Sequence, residues 1–189
     1  MQHNLNFMEQ KIIEYTKYSF PCDFYEIKTE YQDNDKVLNF LSKNKINRST
    51  EQFSTFFNNN KIMDDPDLQF FKSFITKQLI IFTTSVLNKK NFKFLHSWFQ
   101  AYKPDDFHDT HIHGNQRDEY SLIYYVNCTD DSAVTVFYAP MEPYVDSHNP
   151  IKIKPEKSKL VIFPSYLPHC AYPNKDEERI IFSANIKVE

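Results

Sequence analysis

The chain has 189 residues, enough to bury roughly 70% of the surface its unfolded form exposes, so no disulfide scaffold is needed to hold a core. Hydrophobic residues make up 41% and charged residues 25%, with 18 Phe and 12 Tyr, which excludes the aromatic-poor composition of a disordered chain. The net charge of −3 argues against a general phosphate-binding surface, and apolar runs such as Leu79 to Phe82 are far too short to span a bilayer. We therefore expect one domain over residues 1–189 that engages neither nucleic acid nor membrane and acts on a small molecule or a protein. The opening residues lack a signal-peptide apolar core, and Cys22, Cys128 and Cys170 show no paired spacing, so a cytoplasmic protein with reduced thiols is expected.

Residues 1 to about 90 read as a helical support segment. Short helical patterns occupy roughly 5–17 and 34–44, with a strand at 23–29 and a polar loop around Asn58, Asn59 and Asn60. Asp65, Pro66 and Asp67 supply an N-cap, a first-turn proline and an acidic first turn, so a long helix should follow. Leu68, Phe71, Ile75, Leu79, Phe82 and Val86 recur at helical spacing and form the stripe that this helix should bury.

From residue 92 the pattern turns strand-like: Phe92 to Tyr102, Tyr120 to Asn127, Ala133 to Tyr138, Ile151 to Lys154, Leu160 to Phe163 and Arg179 to Val188. Many short strands without alternating helices favour an antiparallel sandwich or barrel over a parallel sheet. The Pro-rich stretch 139–150 reads as a surface loop or a lid over the barrel mouth, and with loop 103–110 it would set substrate choice.

The scarce residues are the informative ones. The chain has one Gly where about 13 would be average, and only three of its 22 basic residues are Arg, a skew expected of an AT-rich genome such as that of a phage, another virus or a bacterium. Under that pressure Gly should persist where positive φ or close approach demands it, and Arg where a planar fork is needed. The glycine is Gly114, directly after His111-Ile112-His113, and Arg117 and Arg179 lie near the most suggestive histidines.

On a strand, His111 and His113 would point to one face and share a divalent metal, with His169 following 56 residues later as a third donor. Asp118 and Glu119 are close enough in sequence to supply a carboxylate instead, and His108 is a further candidate ligand. Were the strands around His169 and Arg179 antiparallel neighbours, both side chains would point inward, and a buried Arg179 would call for an anionic ligand. Surface pairing of Arg179 with Asp176, Glu177 or Glu178 is the alternative.

These residues resemble the iron(II)- and 2-oxoglutarate-dependent oxygenases. The resemblance runs over about 95 residues: Ser97-Trp98, His111-Ile112-His113, Ser121 with Tyr124-Tyr125-Val126, Phe163-Pro164-Ser165 through His169, and Arg179 through Ser183 and Asn185. The strand Ile123 to Asn127 is also similar to the corresponding strand of prolyl hydroxylases. The resemblance implies an α+β fold, a double-stranded β-helix (jelly-roll, cupin-like) core over 91–189 behind supporting helices. It implies His111, His113 and His169 as iron ligands, Arg179 as the fork for the distal carboxylate of 2-oxoglutarate, and Tyr125, with Tyr102 as a second candidate, as its hydrogen-bond partner. Such an enzyme uses Fe(II), O2 and 2-oxoglutarate to hydroxylate a protein side chain or small metabolite, releasing succinate, with no general acid or base beyond the ligands. Phe99, Tyr124, Phe137 and Phe163 would form apolar walls.

The chain departs from the superfamily pattern twice. His113 stands where a carboxylate is usual, and Ile181 stands where a serine two residues after the arginine is common. These departures keep two other readings open: a cupin-type three-histidine dioxygenase that does not use 2-oxoglutarate, and a noncatalytic jelly-roll binding module.

Overall fold

The structure is a computed structural model that describes residues 14–19, 22–44, 53–57, 59–138, 150–175 and 178–189. Two antiparallel sheets face each other. In chain order their strands are β1 (Tyr15–Tyr18), β2 (Phe24–Lys28), β3 (Phe53–Ser54), β4 (Phe92–Tyr102), β5 (His108–His111), β6 (Glu119–Asn127), β7 (Thr135–Phe137), β8 (Ile151–Ile153), β9 (Lys159–Pro164), β10 (His169–Ala171) and β11 (Arg179–Val188). The major sheet runs β1-β2-β9-β6-β11-β4-β3 and the minor sheet β5-β10-β7-β8. This is the antiparallel sandwich that the strand pattern favours and the jelly-roll that the resemblance implies.

The period-two geometry of strands divides the major sheet into two faces with different jobs. Phe99 and Ala101 on β4, Leu122, Tyr124 and Val126 on β6, and Ile180, Phe182, Ala184 and Ile186 on β11 enter one core, shared with the helices. The intervening Ile123, Tyr125 and Ile181 turn the other way and pack with Phe137 and Ala171 of the minor sheet. A one-residue slip in any central strand would exchange the faces, so the hydrophobic pattern holds the register.

Helix α1 spans Asn34–Lys43 and α2 spans Gln69–Ser85. As the Asp65-Pro66 signal implies, the Asp65 side chain accepts a bond from the Asp67 amide, but it caps a single 3-10 turn, Pro66–Leu68, that leads into α2. The stripe behaves as its spacing predicts: Leu68, Phe71, Ile75, Leu79 and Phe82 are all buried. Phe71 sits at the centre, with its ring 5.1 Å from Phe182, 5.5 Å from Tyr124 and 6.0 Å from Phe99.

The N-terminal segment departs from the helical reading. Residues 15–18 form a strand, whose edge hydrogen bonds to β2 override the short helical pattern, and the rest of the predicted 5–17 helix lies outside the described residues. β2 in turn pairs with β9, so the first half of the chain extends the major sheet as well as covering it. The stretch 139–149, most of the expected lid, also lies outside the described residues. Among the described residues, no helix is long and apolar enough to cross a membrane.

The left-handed positions explain how so glycine-poor a chain turns. Asn88, Asp105 and Ser158 take positive φ, which short polar side chains tolerate best among non-glycine residues. Gly114 does not; it is kept for close approach. A Cβ there would overlap the Glu119 carboxylate and come within 3.3 Å of the Ser165 Cβ.

Removing the ring at the centre of the helix-facing core should be costly. Phe71→Ala is expected to lower stability by about 3–5 kcal/mol, read as a reduced urea midpoint at unchanged m-value.

Candidate active site

β10 pairs with β5 so that His169 lies directly opposite His111, and their rings meet with centroids 4.3 Å apart. His113 reaches the same place by another route. β5 ends at His111, and the His113 and Gly114 amides both donate to the Ser165 carbonyl, at 2.8 and 3.1 Å. His113 therefore leaves the strand, and the shared direction of the two rings comes from a docked turn rather than from strand alternation. Metal-ligating atoms of His111, His113 and His169 all lie within 4.8 Å of one another.

Each imidazole is held from behind. His111 Nδ1 donates to the Asp109 carbonyl at 2.7 Å, and His169 Nδ1 to the Leu167 carbonyl at 3.0 Å. His113 Nδ1 donates to Asn185 Oδ1 at 2.9 Å, and the Ser121 hydroxyl, 2.9 Å from the same oxygen, also donates to it. Ser121 and Asn185 are cross-strand partners on β6 and β11, which is why they converge on one ring. Because a carbonyl can only accept, these bonds put the proton of each neutral ring on Nδ1 and leave Nε2 bare.

The rings are neutral near pH 7. Burial, reinforced by the neighbouring imidazoles, lowers His113 to about 3 and His108 to about 4, and holds His169 well below the ordinary histidine value. Burial also lowers His111, against the opposing pull of Asp109. His111 Nε2 and His113 Nε2 thus face each other at 3.0 Å with no proton between them. Two metal–imidazole bonds of ~2.1 Å meeting at a right angle span ~3.0 Å, so the donor set fits a divalent cation of octahedral preference.

Arg179 lies across the cavity rather than beside His169. Its strand pairs with β4 and β6, in the sheet opposite β10, so the two residues face one another instead of being lateral neighbours. The guanidinium is fully buried. Nη2 donates to Thr135 Oγ1 at 3.0 Å, while Nε and Nη1 have no hydrogen-bond partner among the described residues. It stacks 4.7 Å from the centre of the Tyr102 ring and 5.4 Å from that of Tyr125, whose hydroxyl is 2.7 Å from Thr135 Oγ1. A buried guanidinium with two unpartnered nitrogens calls for an anionic ligand such as a carboxylate.

Two cavities meet at the histidines. The inner one is lined by Tyr102, Thr135, Ile181 and Arg179; the outer, of about 400 Å³, by Phe56, Phe57, Ile112 and Asn185. Trp98, Gln100, His108, His111 and His113 line both.

Several expected participants stand elsewhere. Asp118 pairs with Lys187 at 3.1 Å, and the Glu119 carboxylate lies beside Gly114, so neither joins the histidine cluster. Arg117 is exposed on a turn. Phe99 and Tyr124 face the helices, one residue out of phase with the site, whereas Phe163 and Phe137 do back His169, with centroids at 4.7 and 5.7 Å. Thr135 and Gln100 were not singled out by sequence reasoning; each is a polar residue at an inward position of a strand, a signal that becomes readable only once the inward face is known.

The histidine shifts have a sign that can be tested. Their folded values lie below those of the unfolded chain, so between pH ~6.5 and the folded values the unfolded state binds more protons and stability falls as pH falls. Metal-free protein should lose melting temperature between pH 6.5 and 5, and His113→Asn should lose less over that window.

Residues 96–185 match the family described as "Putative 2OG-Fe(II) oxygenase". No curated protein sequence matches the chain. Among solved structures, a viral collagen prolyl hydroxylase from Paramecium Bursaria Chlorella virus-1, in its 2OG complex, superposes with TM-score 0.63 at 16% identity, over 88% of this chain and 96% of that one. A Pseudomonas putida prolyl-4-hydroxylase gives 0.58 at 17% identity, over 88% and 92%. HygX from Streptomyces hygroscopicus, with nickel, 2-oxoglutarate and hygromycin B bound, gives 0.63 at 8% identity, over 87% and 82%. At such identities the superpositions speak for the fold. They show that this chain shares the fold of these proteins, and the family match falls on the segment that carries the three histidines and Arg179.

Proposed function

We propose that this chain is an iron(II)- and 2-oxoglutarate-dependent dioxygenase that hydroxylates a C–H bond of a protein side chain or small metabolite. The observation that carries this reading is the pairing of three bare imidazole nitrogens with a fully buried, half-satisfied guanidinium across one cavity. His111, His113 and His169 would hold the iron through Nε2. Arg179, whose Nε and Nη1 have no partner among the described residues, would take the distal carboxylate of 2-oxoglutarate on its guanidinium. Thr135 and Tyr125 fix the guanidinium from one side and Tyr102 supports its face, so the fork is aimed before the ligand arrives. When bound, iron(II) with O2 supplies the oxidation that couples decarboxylation of 2-oxoglutarate to succinate with hydroxylation of substrate. Ile123 and Ile181 line the inner cavity and keep water from the reacting centre. Cysteines held as thiols, such as Cys22 and Cys170, fit work in the cytoplasm.

One observation favours a second reading. Ile181 presents an apolar side chain to the inner cavity, where the superfamily commonly offers a hydroxyl, so a three-histidine dioxygenase without a 2-oxo acid is the competitor.

The deciding experiment is an anaerobic titration of metal-free protein with iron(II) and then 2-oxoglutarate, following the visible charge-transfer band of the chelated 2-oxo acid. The expected result is a band that Arg179→Ala loses while still binding iron, with succinate released in air. Iron binding without a band would move the assignment to the cupin-type enzyme, and absence of iron binding would leave a binding module. The single tryptophan, Trp98, lies 5.4 Å from the His113 ring and reports metal binding by quenching. By that signal Asn185→Leu should weaken iron(II) by about 10–100-fold, because it frees the ring it orients.

A further inference from the structure

The outer cavity is built differently from the inner one. Among the described residues its lining contains no Asp, Glu, Lys or Arg; apolar walls come from Phe56, Phe57, Trp98 and Ile112. A charged group placed there would lose its water without gaining a counter-charge, which is costly. Phe57 and Ile112 remain 88% and 50% exposed at the rim, an apolar surface with nothing packed over it among the described residues.

Besides the three polar residues already engaged at the site, His111, His113 and Asn185, and Ser54, the outer cavity's polar side chains are Gln100, His108 and His96. Gln100 is nearly buried, lines both cavities, and makes no side-chain hydrogen bond with any described residue. His108 stacks on His111 with centroids 4.0 Å apart, lies outside the three-histidine donor cluster, and likewise makes no side-chain hydrogen bond with any described residue. On the outer wall, His96 buries an Nδ1 without a partner. The waist between the cavities therefore presents an amide and an imidazole, both able to donate and accept, to whatever enters from outside.

We propose that Gln100 and His108 form the polar clamp of the primary-substrate subsite, which takes an uncharged apolar group bearing a neutral hydrogen-bonding function such as an amide. The word substrate rests on the oxygenase reading; the binding chemistry does not. Gln100 matches both faces of an amide, His108 completes the pair, and the aromatic walls hold the flat apolar remainder.

The test uses metal-free full-length protein and two probes of one shape, benzamide and benzylammonium, followed by Trp98 fluorescence. Benzamide should bind, and benzylammonium should bind at least roughly tenfold more weakly. The double variant Gln100→Leu, His108→Phe should lose benzamide by roughly tenfold or more. Gln100→Glu, whose folding is checked by its melting curve, should reverse the preference towards benzylammonium and keeps the test open should the double variant not fold. No benzamide binding, equal binding by the double variant, or a wild-type preference for the cation would overturn the assignment. The charge-transfer titration of wild-type protein is run in parallel. A band without benzamide binding sinks the clamp alone, whereas benzamide binding without a band sinks the oxygenase reading and leaves the subsite.

Discussion

Three imidazoles that all turn an unprotonated Nε2 towards one point repel one another unless a cation stands between them. The fold nevertheless enforces that arrangement from three directions. A carbonyl within β5 fixes His111, the turn before β10 fixes His169, and the Ser121–Asn185 pair across β6 and β11 fixes His113. Each bond commits Nδ1 to a proton and so commits Nε2 to a lone pair. Burial then removes the easy escape of protonating a ring. The site is thus preorganised at a cost to the metal-free protein, and a bound divalent ion would return that cost as affinity.

The neighbouring Arg179 presents the same logic with opposite sign. A guanidinium buried with two unpartnered N–H groups is among the more expensive features a protein can carry. Here the cost is reduced by two aromatic faces and one threonine hydroxyl, none of which is an anion. The inner cavity therefore holds an uncompensated positive charge within a chain of net charge −3. The asymmetry is local and survives salt better than a surface patch would, since low-dielectric walls limit screening.

Much of this was legible in the sequence because strand alternation is strict where both faces are buried. β4 and β11 have the predicted bounds, and the residues carrying the resemblance, His111, His113, His169 and Arg179, come together in space. What failed to show in advance was phase and pairing. Phe99 and Tyr124 were legible as inward aromatics but not as aromatics of the other face, which only the register decides. Whether the strands of His169 and Arg179 are neighbours was left open; sheet order makes the two residues opposite, and no local signal encodes sheet order. The short strands β1, β3, β5 and β10 escaped for a related reason, since two to four residues carry too little periodicity and are ordered by the partners they meet.

The glycine and the two cavities join these threads. Gly114 lets the chain after His113 press against Ser165 and Glu119, so the third imidazole can be delivered by a turn rather than by the strand. That delivery places His113 at the waist, where it borders both the charged inner cavity and the uncharged outer one. Electrostatics then sorts ligands by compartment. A dianionic 2-oxo acid finds a buried positive partner inward, at Arg179, and none among the described residues that line the outer cavity. A neutral apolar group gains from the outer aromatic walls and has nothing to gain by displacing an anion from the fork. The two ligands would be kept apart by the charge of the walls rather than by a mechanical gate, with the histidines as their shared boundary.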